Sequence, residues 1–284
     1  MNRGARVLPF LGLFLTAALW GQSPSLEGLP ASVRSVGLGG AGAALVGDAS
    51  VIFANPAGLA TVRHMAVEGS YAAIPGGSTL SLGAVALRLG RFDWGAGAQV
   101  LTTPGGGPLN QDDAVMASSL VYRRGLLAFG VTGKYAHGPG TPADGKWAGD
   151  VGMALPVFDL FAMGVAVQNI GGDTAGILPR RVRAGFTMNY VDPEGAYRLL
   201  TTLEAQWRSG KHAELVQGLE GGVVLGGIVL VGRVAYGTAA LAPGVSKLSA
   251  GGGIELGRFH IDYAYRPIDA AGDARHRIGV RWTP

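Results

Sequence analysis

The sequence predicts an all-β protein, a transmembrane antiparallel β-barrel of about fourteen strands. Three observations predict it. From His64 onward, segments of roughly ten residues alternate large apolar side chains with small or charged ones, the period of a strand with two unlike faces. Charged residues make up only 15% of the chain, against about 25% in a soluble domain, and the mean hydropathy is positive. Beyond the N-terminus no uninterrupted apolar run reaches about 18 residues, so contact with hydrocarbon falls to strands rather than to a spanning helix.

Residues 1–21 read as a secretory signal peptide. Arg3 and Arg6 form a positive start, Val7 to Leu19 an apolar stretch, and Gly21 a small residue before Gln22. The A-x-A pattern is poor and does not fix the cut; a single anchor helix is the alternative, for which the segment is short. Without Arg3 and Arg6 the net charge of +4 falls by two, and no basic run carries interleaved aromatics. Nucleic acid is therefore not an expected partner. The chain has no cysteine, which excludes disulfides, thiolate metal sites, a Cys nucleophile and an N-terminal lipid-modified Cys.

Residues 64–284 form the barrel. The segments are 64–73, 78–89, 91–102, 113–123, 125–137, 146–155, 160–169, 180–190, 196–208, 213–224, 227–237, 246–256, 258–266 and 275–283. The position of the charges tests the alternation. In 258–266, Phe259, Ile261, Tyr263 and Tyr265 oppose Arg258, His260, Asp262 and Arg266; in 196–208, Leu199, Leu203 and Trp207 oppose Glu204, Gln206 and Arg208. In 180–190, Val182, Ala184, Phe186 and Met188 oppose Arg181 and Arg183. Glu68, Asp93, Lys134, Asp150, Glu220, Arg233 and Glu255 also fall on the less apolar parity, His276 breaks the rule, and 78–89 and 113–123 are ambiguous. A soluble sandwich alternates too, but the polar face here is mostly Gly, Ala, Ser and Thr, suited to a crowded interior. Aromatics near segment ends, such as Tyr71, Trp94, Trp147, Trp207 and Trp282, suit membrane girdles. A ten-residue strand rises ~33 Å and, tilted by about 40°, covers the ~25 Å lipid band. Even-numbered connections are short and most odd ones longer, the pattern of periplasmic turns and external loops.

Residues 22–63 precede the barrel. Gly37, Gly39 and Gly42 fit G-x-G-x-x-G, but no βαβ unit surrounds them and no acid lies at Phe53 to Leu59, where a ribose partner would fall. The stretch RSVGLGGAGAALVGDASVIFANPAGLA, above all NPAGL from Asn55 through Pro56, Ala57 and Gly58 to Leu59, instead resembles the N-terminal signature of the PorV/PorQ family of FadL-like outer-membrane barrels. Supporting likeness lies in GVAVQNIGG, LSAGGGIELGRFHIDYAYRP and RHRIGV. The resemblance implies a fourteen-stranded barrel with its N-terminal segment folded inward as a hatch. The residues suit that role. Gly37, Gly39, Gly40 and Gly42 allow close backbone approach, Asn55 before Pro56 suits a capped turn, and Asp48 suits an inward arginine such as Arg277 or Arg281.

No catalytic chemistry emerges. His64, His137, His212, His260 and His276 lack metal-ligand spacing, and no G-x-S-x-G elbow occurs, so neither enzyme activity, cofactor nor metal is expected. The inward charges Arg181, Arg183, Glu204, Arg208, Glu220, Arg233, Glu255, Asp262, Arg266, Arg277 and Arg281 are mixed in sign. Mixed charge in a confined lumen favours internal pairing that holds a hatch, whereas a one-sign lining would point to an ion-selective pore. The expected setting is the bacterial outer membrane, with its lipid as the first partner. The resemblance implies an accessory of type IX protein secretion or surface attachment, partnered by secretion components or cargo proteins. The alternative is a passive transporter of small hydrophobic molecules. The external connections of at most about eleven residues offer little grip on a large protein. The inward face also lacks the contiguous Phe/Leu lining that a lipid pocket prefers.

Overall fold

The computed structural model describes residues 32–74, 77–104, 113–138, 145–157, 160–172, 178–191, 195–208, 212–238, 246–268 and 273–284. The expected signal peptide of residues 1–21, residues 22–31 and most of the longer connections lie outside them. The fourteen strands are β1 (Met65–Ile74), β2 (Ser78–Leu89), β3 (Phe92–Thr102), β4 (Asp113–Arg124), β5 (Leu127–His137), β6 (Lys146–Val157), β7 (Phe161–Ile170), β8 (Arg181–Asn189), β9 (Tyr197–Arg208), β10 (Glu214–Leu225), β11 (Ile228–Gly237), β12 (Leu248–Leu256), β13 (Phe259–Ile268) and β14 (Asp273–Trp282). Each pairs antiparallel with its sequence neighbours, and β1 pairs with β14 to close the barrel. The segments read from the sequence match these strands in number and order, with ends displaced by no more than two residues. Closure is what makes the wall compatible with hydrocarbon, because no strand edge is left unpaired.

Tight turns at one end set the register. Leu225 faces Ile228 across Gly226 and Gly227, whose φ values of 57° and 88° are those of a two-residue hairpin turn. That register turns Leu219 outward and Glu220 inward, and a shift of one residue would exchange them. The outer surface carries Leu120, Val131, Leu203, Leu219, Ile261 and Ile278, all exposed. Exposed aromatics mark its two ends. Phe92 packs on Tyr122 and Phe259 on Trp282 at the short-turn end, and Tyr135 packs on Trp147 at the long-loop end. His276 lies on the outer face, where its Nδ1 is 2.7 Å from the Tyr263 hydroxyl. The hydrogen bond gives this polar ring a partner at the interface level.

Two features depart from the simple pattern. β2 turns Leu80, Leu82, Ala84 and Ala86 inward, and β4 turns Val115, Ala117 and Val121 inward. These were the ambiguous segments, and the reason is that this part of the interior is itself apolar. The second is a β-bulge. Gly149 pairs with Ile170 but Val151 with Val167, so β7 carries one extra residue, and Asn169 adopts a φ of 59°. The bulge aims the Asn169 amide at Asp150 Oδ1 (2.8 Å) and lets Lys134 Nζ reach Asp150 Oδ2 (2.6 Å) and Asn169 Oδ1 (3.2 Å).

Leu219→Arg at mid-height on the outer face is expected to lower stability by about 2–4 kcal/mol. The measurement is the urea midpoint of the folded, heat-modifiable gel band in lipid. An unchanged midpoint would mean that this face does not meet hydrocarbon.

Candidate functional site

Residues 32–62 run inside the barrel. Helix α1 (Val33–Gly37) packs on β11–β14; the 3₁₀ turn Ala49–Phe53 packs on β1–β4, and a second, Pro56–Thr61, on β3–β7. The lumen they fill has two unlike halves.

The β8–β14 half is ionic and grips residues 33–48. Arg34 donates from Nε and Nη2 to both oxygens of Glu220 at 2.9 Å each. Glu220 Oε2 also accepts from Arg233 Nε at 2.6 Å, and Arg233 Nη1 donates to Asp262 Oδ1 at 2.6 Å. Burial opposes the charge on Arg34, but the Glu220 and Asp48 carboxylates outweigh it and hold its pKa above the ordinary arginine value. Asp48 pairs with Arg281, the second of the two partners its sequence position suggested; Arg277 instead donates to Ser70 Oγ.

The glycine stretch does cradle an anion, but one supplied by the protein. Gly42 N and Ala43 N both donate to Glu204 Oε2 at 2.6 Å, an arrangement of successive backbone amides suited to a negative charge. Arg183 pairs with Glu204 at 3.2 Å and donates to Gly40 O at 2.9 Å. Gly39 and Gly40 have positive φ, 76° and 94°, which bends the chain so that these amides and carbonyls face the wall. Gly37 lies against the backbone of Gly251, and its carbonyl accepts from Ser249 Oγ at 3.4 Å.

The β1–β7 half is mainly apolar and grips residues 49–62. Val51, Ile52, Ala57, Leu59 and Ala60 form one cluster with Leu82, Ala84, Ala86, Ala117, Val121 and Ala154 of the wall. The Asn55–Pro56 turn is fully enclosed. Asn55 caps it by accepting from Ala57 N at 3.1 Å, and its side-chain amide donates to Ala43 O (2.7 Å) and Met153 O (3.2 Å). Gly58 packs directly under Val51. The wall makes room with glycines on three adjacent strands. A side-chain carbon on Gly130 would strike Pro56 and Ala57, one on Gly152 would strike Asn55, and one on Gly164 would overlap Ala43 O.

Of the remaining inward charges, Arg208 pairs with Glu214 at 3.2 Å beside Arg181 on the neighbouring strand. Glu255 pairs with Arg198 at 2.8 Å and lies 3.5 Å from His260. Arg266 faces Arg275. Sequence reasoning passed over Arg34, whose signal was visible: it is the only basic residue between Gln22 and Val62. Glu68, which the alternation placed on the inward parity, accepts from Ser50 N at 3.1 Å; Gln168, which sequence reasoning passed over, donates to Phe53 O at 2.7 Å.

The expectation that the inward face lacks contiguous apolar lining is corrected. At the long-loop end Ile74, Leu80, Leu101, Val115 and Leu178 form a second cluster, and Phe53 packs against both clusters. The alternation was ambiguous on β2 and β4, where large apolar residues also face inward: Leu80 and Leu82 on β2, Val115 and Val121 on β4. At the short-turn end a cavity of about 290 Å³ lies between Val46, Ala60 and Thr61 and the wall residues Arg88, Ala162 and Thr187. A crevice of about 10 Å³ shares Val46, Thr61 and Ala162 with it and reaches up to Ala43 and Ala154. Among the described residues no group of His, Asp and Glu is placed to hold a metal ion.

Two expected outcomes test this arrangement. Glu220→Ala leaves Arg34 and Arg233 without their shared carboxylate and should cost about 3–5 kcal/mol of unfolding free energy in urea; Arg34→Ala in the same background should recover part of it. Gly164→Leu should displace Ala43 and open Arg34 to trypsin in a barrel that stays heat-modifiable. Full protection of Arg34 in that variant would contradict the packing.

No protein-family model matches the chain, and the search of curated proteins finds no match. Solved structures do match. The Pseudomonas putida toluene transporter TodX aligns over 90% of this chain and 97% of its own, at a TM-score of 0.58 and 13% identity. The CymD monoaromatic hydrocarbon channel aligns over 90% and 97%, at 0.56 and 13%. The Ralstonia pickettii toluene transporter TbuX aligns over 91% and 99%, at 0.55 and 14%. At these identities the likeness is one of fold alone: the closed fourteen-stranded barrel of this chain shares its overall fold with these three solved structures.

Proposed function

We propose that the chain is a passive outer-membrane channel for small hydrophobic molecules, with residues 32–62 as its hatch. The observation that carries this reading is the apolar side of the lumen. It begins at Leu80, Leu101 and Val115, continues through Phe53 to the cluster around Leu59, and meets the short-turn cavity by way of Ala154. Apolar contacts are non-directional, so a ligand can replace them one at a time, while the ion pairs on the opposite side keep the segment seated. The cavity volume of about 290 Å³ lies at the small end of the range for ligand pockets. The names of the structural neighbours favour the same substrate class. In this reading the long-loop end is external, the cavity opens to the periplasm, and residues 1–21 are removed during export.

The N-terminal likeness to PorV/PorQ supports a second reading, an accessory role in type IX secretion or surface attachment. The fold neighbours weigh against it, and the apolar track has no evident use there.

Toluene uptake by a deletion strain complemented with wild type or Thr187→Trp decides between them. The indole would fill the cavity, so uptake should fall at least several-fold below wild type while the heat-modifiable band persists. Equal uptake with and without the gene, together with impaired release of surface proteins, would overturn the channel reading in favour of the secretion one.

A further inference from the structure

We infer that the long-loop end of the lumen carries an oxyanion-binding site built from Arg266 on β13 and Arg275 on β14. The two arginines face each other directly in the antiparallel register. Both share the inward parity of Asp262 and Arg277. Arg266 is only 4% exposed. The Nε atoms of both are buried and donate to no acceptor. Neither arginine makes a salt bridge with a described residue. Four other lumen arginines differ plainly: Arg34, Arg183, Arg233 and Arg281 each have a carboxylate.

Like charges directly opposite on neighbouring strands repel, and burying guanidinium groups without a counter-charge is costly. The pair becomes favourable when an anion lies between the two planar forks, which match an oxyanion at two points each. The surroundings define the rest of the ligand. Ala72 pairs with Arg277 and Ala73 with His276, so the next rung brings Ile74 beside Arg275. Ile74 belongs to the apolar cluster that includes Leu80 and Leu101. The site therefore takes a carboxylate or similar oxyanion carried on a small apolar body, with its charged end on β13 and β14 and its body along β1–β3. This deepens the channel reading by giving the substrate a charged end and rests on that reading for its role in transport.

The test is calorimetric titration of the purified full-length barrel in detergent at low salt, with benzoate and its neutral counterpart toluene. Wild type should bind benzoate, with affinity falling as salt rises. Arg266→Gln/Arg275→Gln should weaken benzoate about 10- to 100-fold through loss of charge-assisted bonds and leave toluene unchanged. Should that variant fail to give a heat-modifiable band, Arg266→Lys/Arg275→Lys keeps the charge, loses the fork, and should still weaken benzoate several-fold. The site is overturned if wild type does not bind benzoate, or if the arginine variants bind it as wild type does. It is equally overturned if benzoate binds only after Asp269→Asn/Asp273→Asn, because the chain would then supply its own counter-charge. Toluene flux without benzoate binding would remove the anion site and leave the channel standing; benzoate binding without any toluene uptake phenotype would do the reverse.

Discussion

Hydrocarbon offers no hydrogen-bond partner to a peptide group, and the rest of this structure depends on that constraint. Every strand must bond to a strand on each side, so β1 has to reach β14. Closure assigns one side-chain parity to lipid and the other to a confined interior. Charges on the inner parity cannot escape to bulk water, so they must find opposite charges or backbone dipoles across the bore. Arg34, Glu220, Arg233 and Asp262 form such a chain, and Glu204 completes its own by taking two backbone amides from the glycine stretch.

The same confinement explains the composition. The N-terminal segment occupies a bore whose wall comes within backbone contact of it, so small residues are needed on both surfaces. Glycines such as Gly37, Gly42 and Gly58 in the segment and Gly95, Gly130, Gly152 and Gly164 in the wall are therefore a steric requirement shared between plug and wall. Gly130, Gly152 and Gly164 form a hollow for one turn, and Asn55 and Pro56 fill it. The G-x-G-x-x-G spacing results from the same demand, which is why it occurs here without a nucleotide site.

Much of this was legible in the sequence. Strand number, order and the inward parity of Glu204, Glu220, Asp262 and Arg281 followed from period-two alternation, because a charge on the lipid face is so costly that it marks the other face reliably. The rule fails where the interior is apolar as well, and β2 and β4 were ambiguous for that reason. With Leu80 and Leu82 inside, nothing in the local pattern distinguishes lumen from lipid. The bulge at Asn169 was not readable, because one extra residue in β7 is visible only against its partner β6. Pairing across the bore was partly readable. Asp48 had two suitable arginines by sign and position, and only the three-dimensional register selects Arg281 over Arg277.

The division of the lumen into an ionic and an apolar half has a mechanical consequence. Ion pairs are directional and stay strong only over a narrow range of separations, whereas greasy contacts slide with little resistance. Residues 33–48 are therefore held at set separations by charge, and residues 49–62 by side-chain packing together with the Asn55 bonds to Ala43 and Met153. The two regimes meet at Asp48, where Arg281 anchors the chain just before the first 3₁₀ turn. Under the proposed channel reading, an oily solute would displace packing along β1–β7 while the ionic side of the bore stays shut.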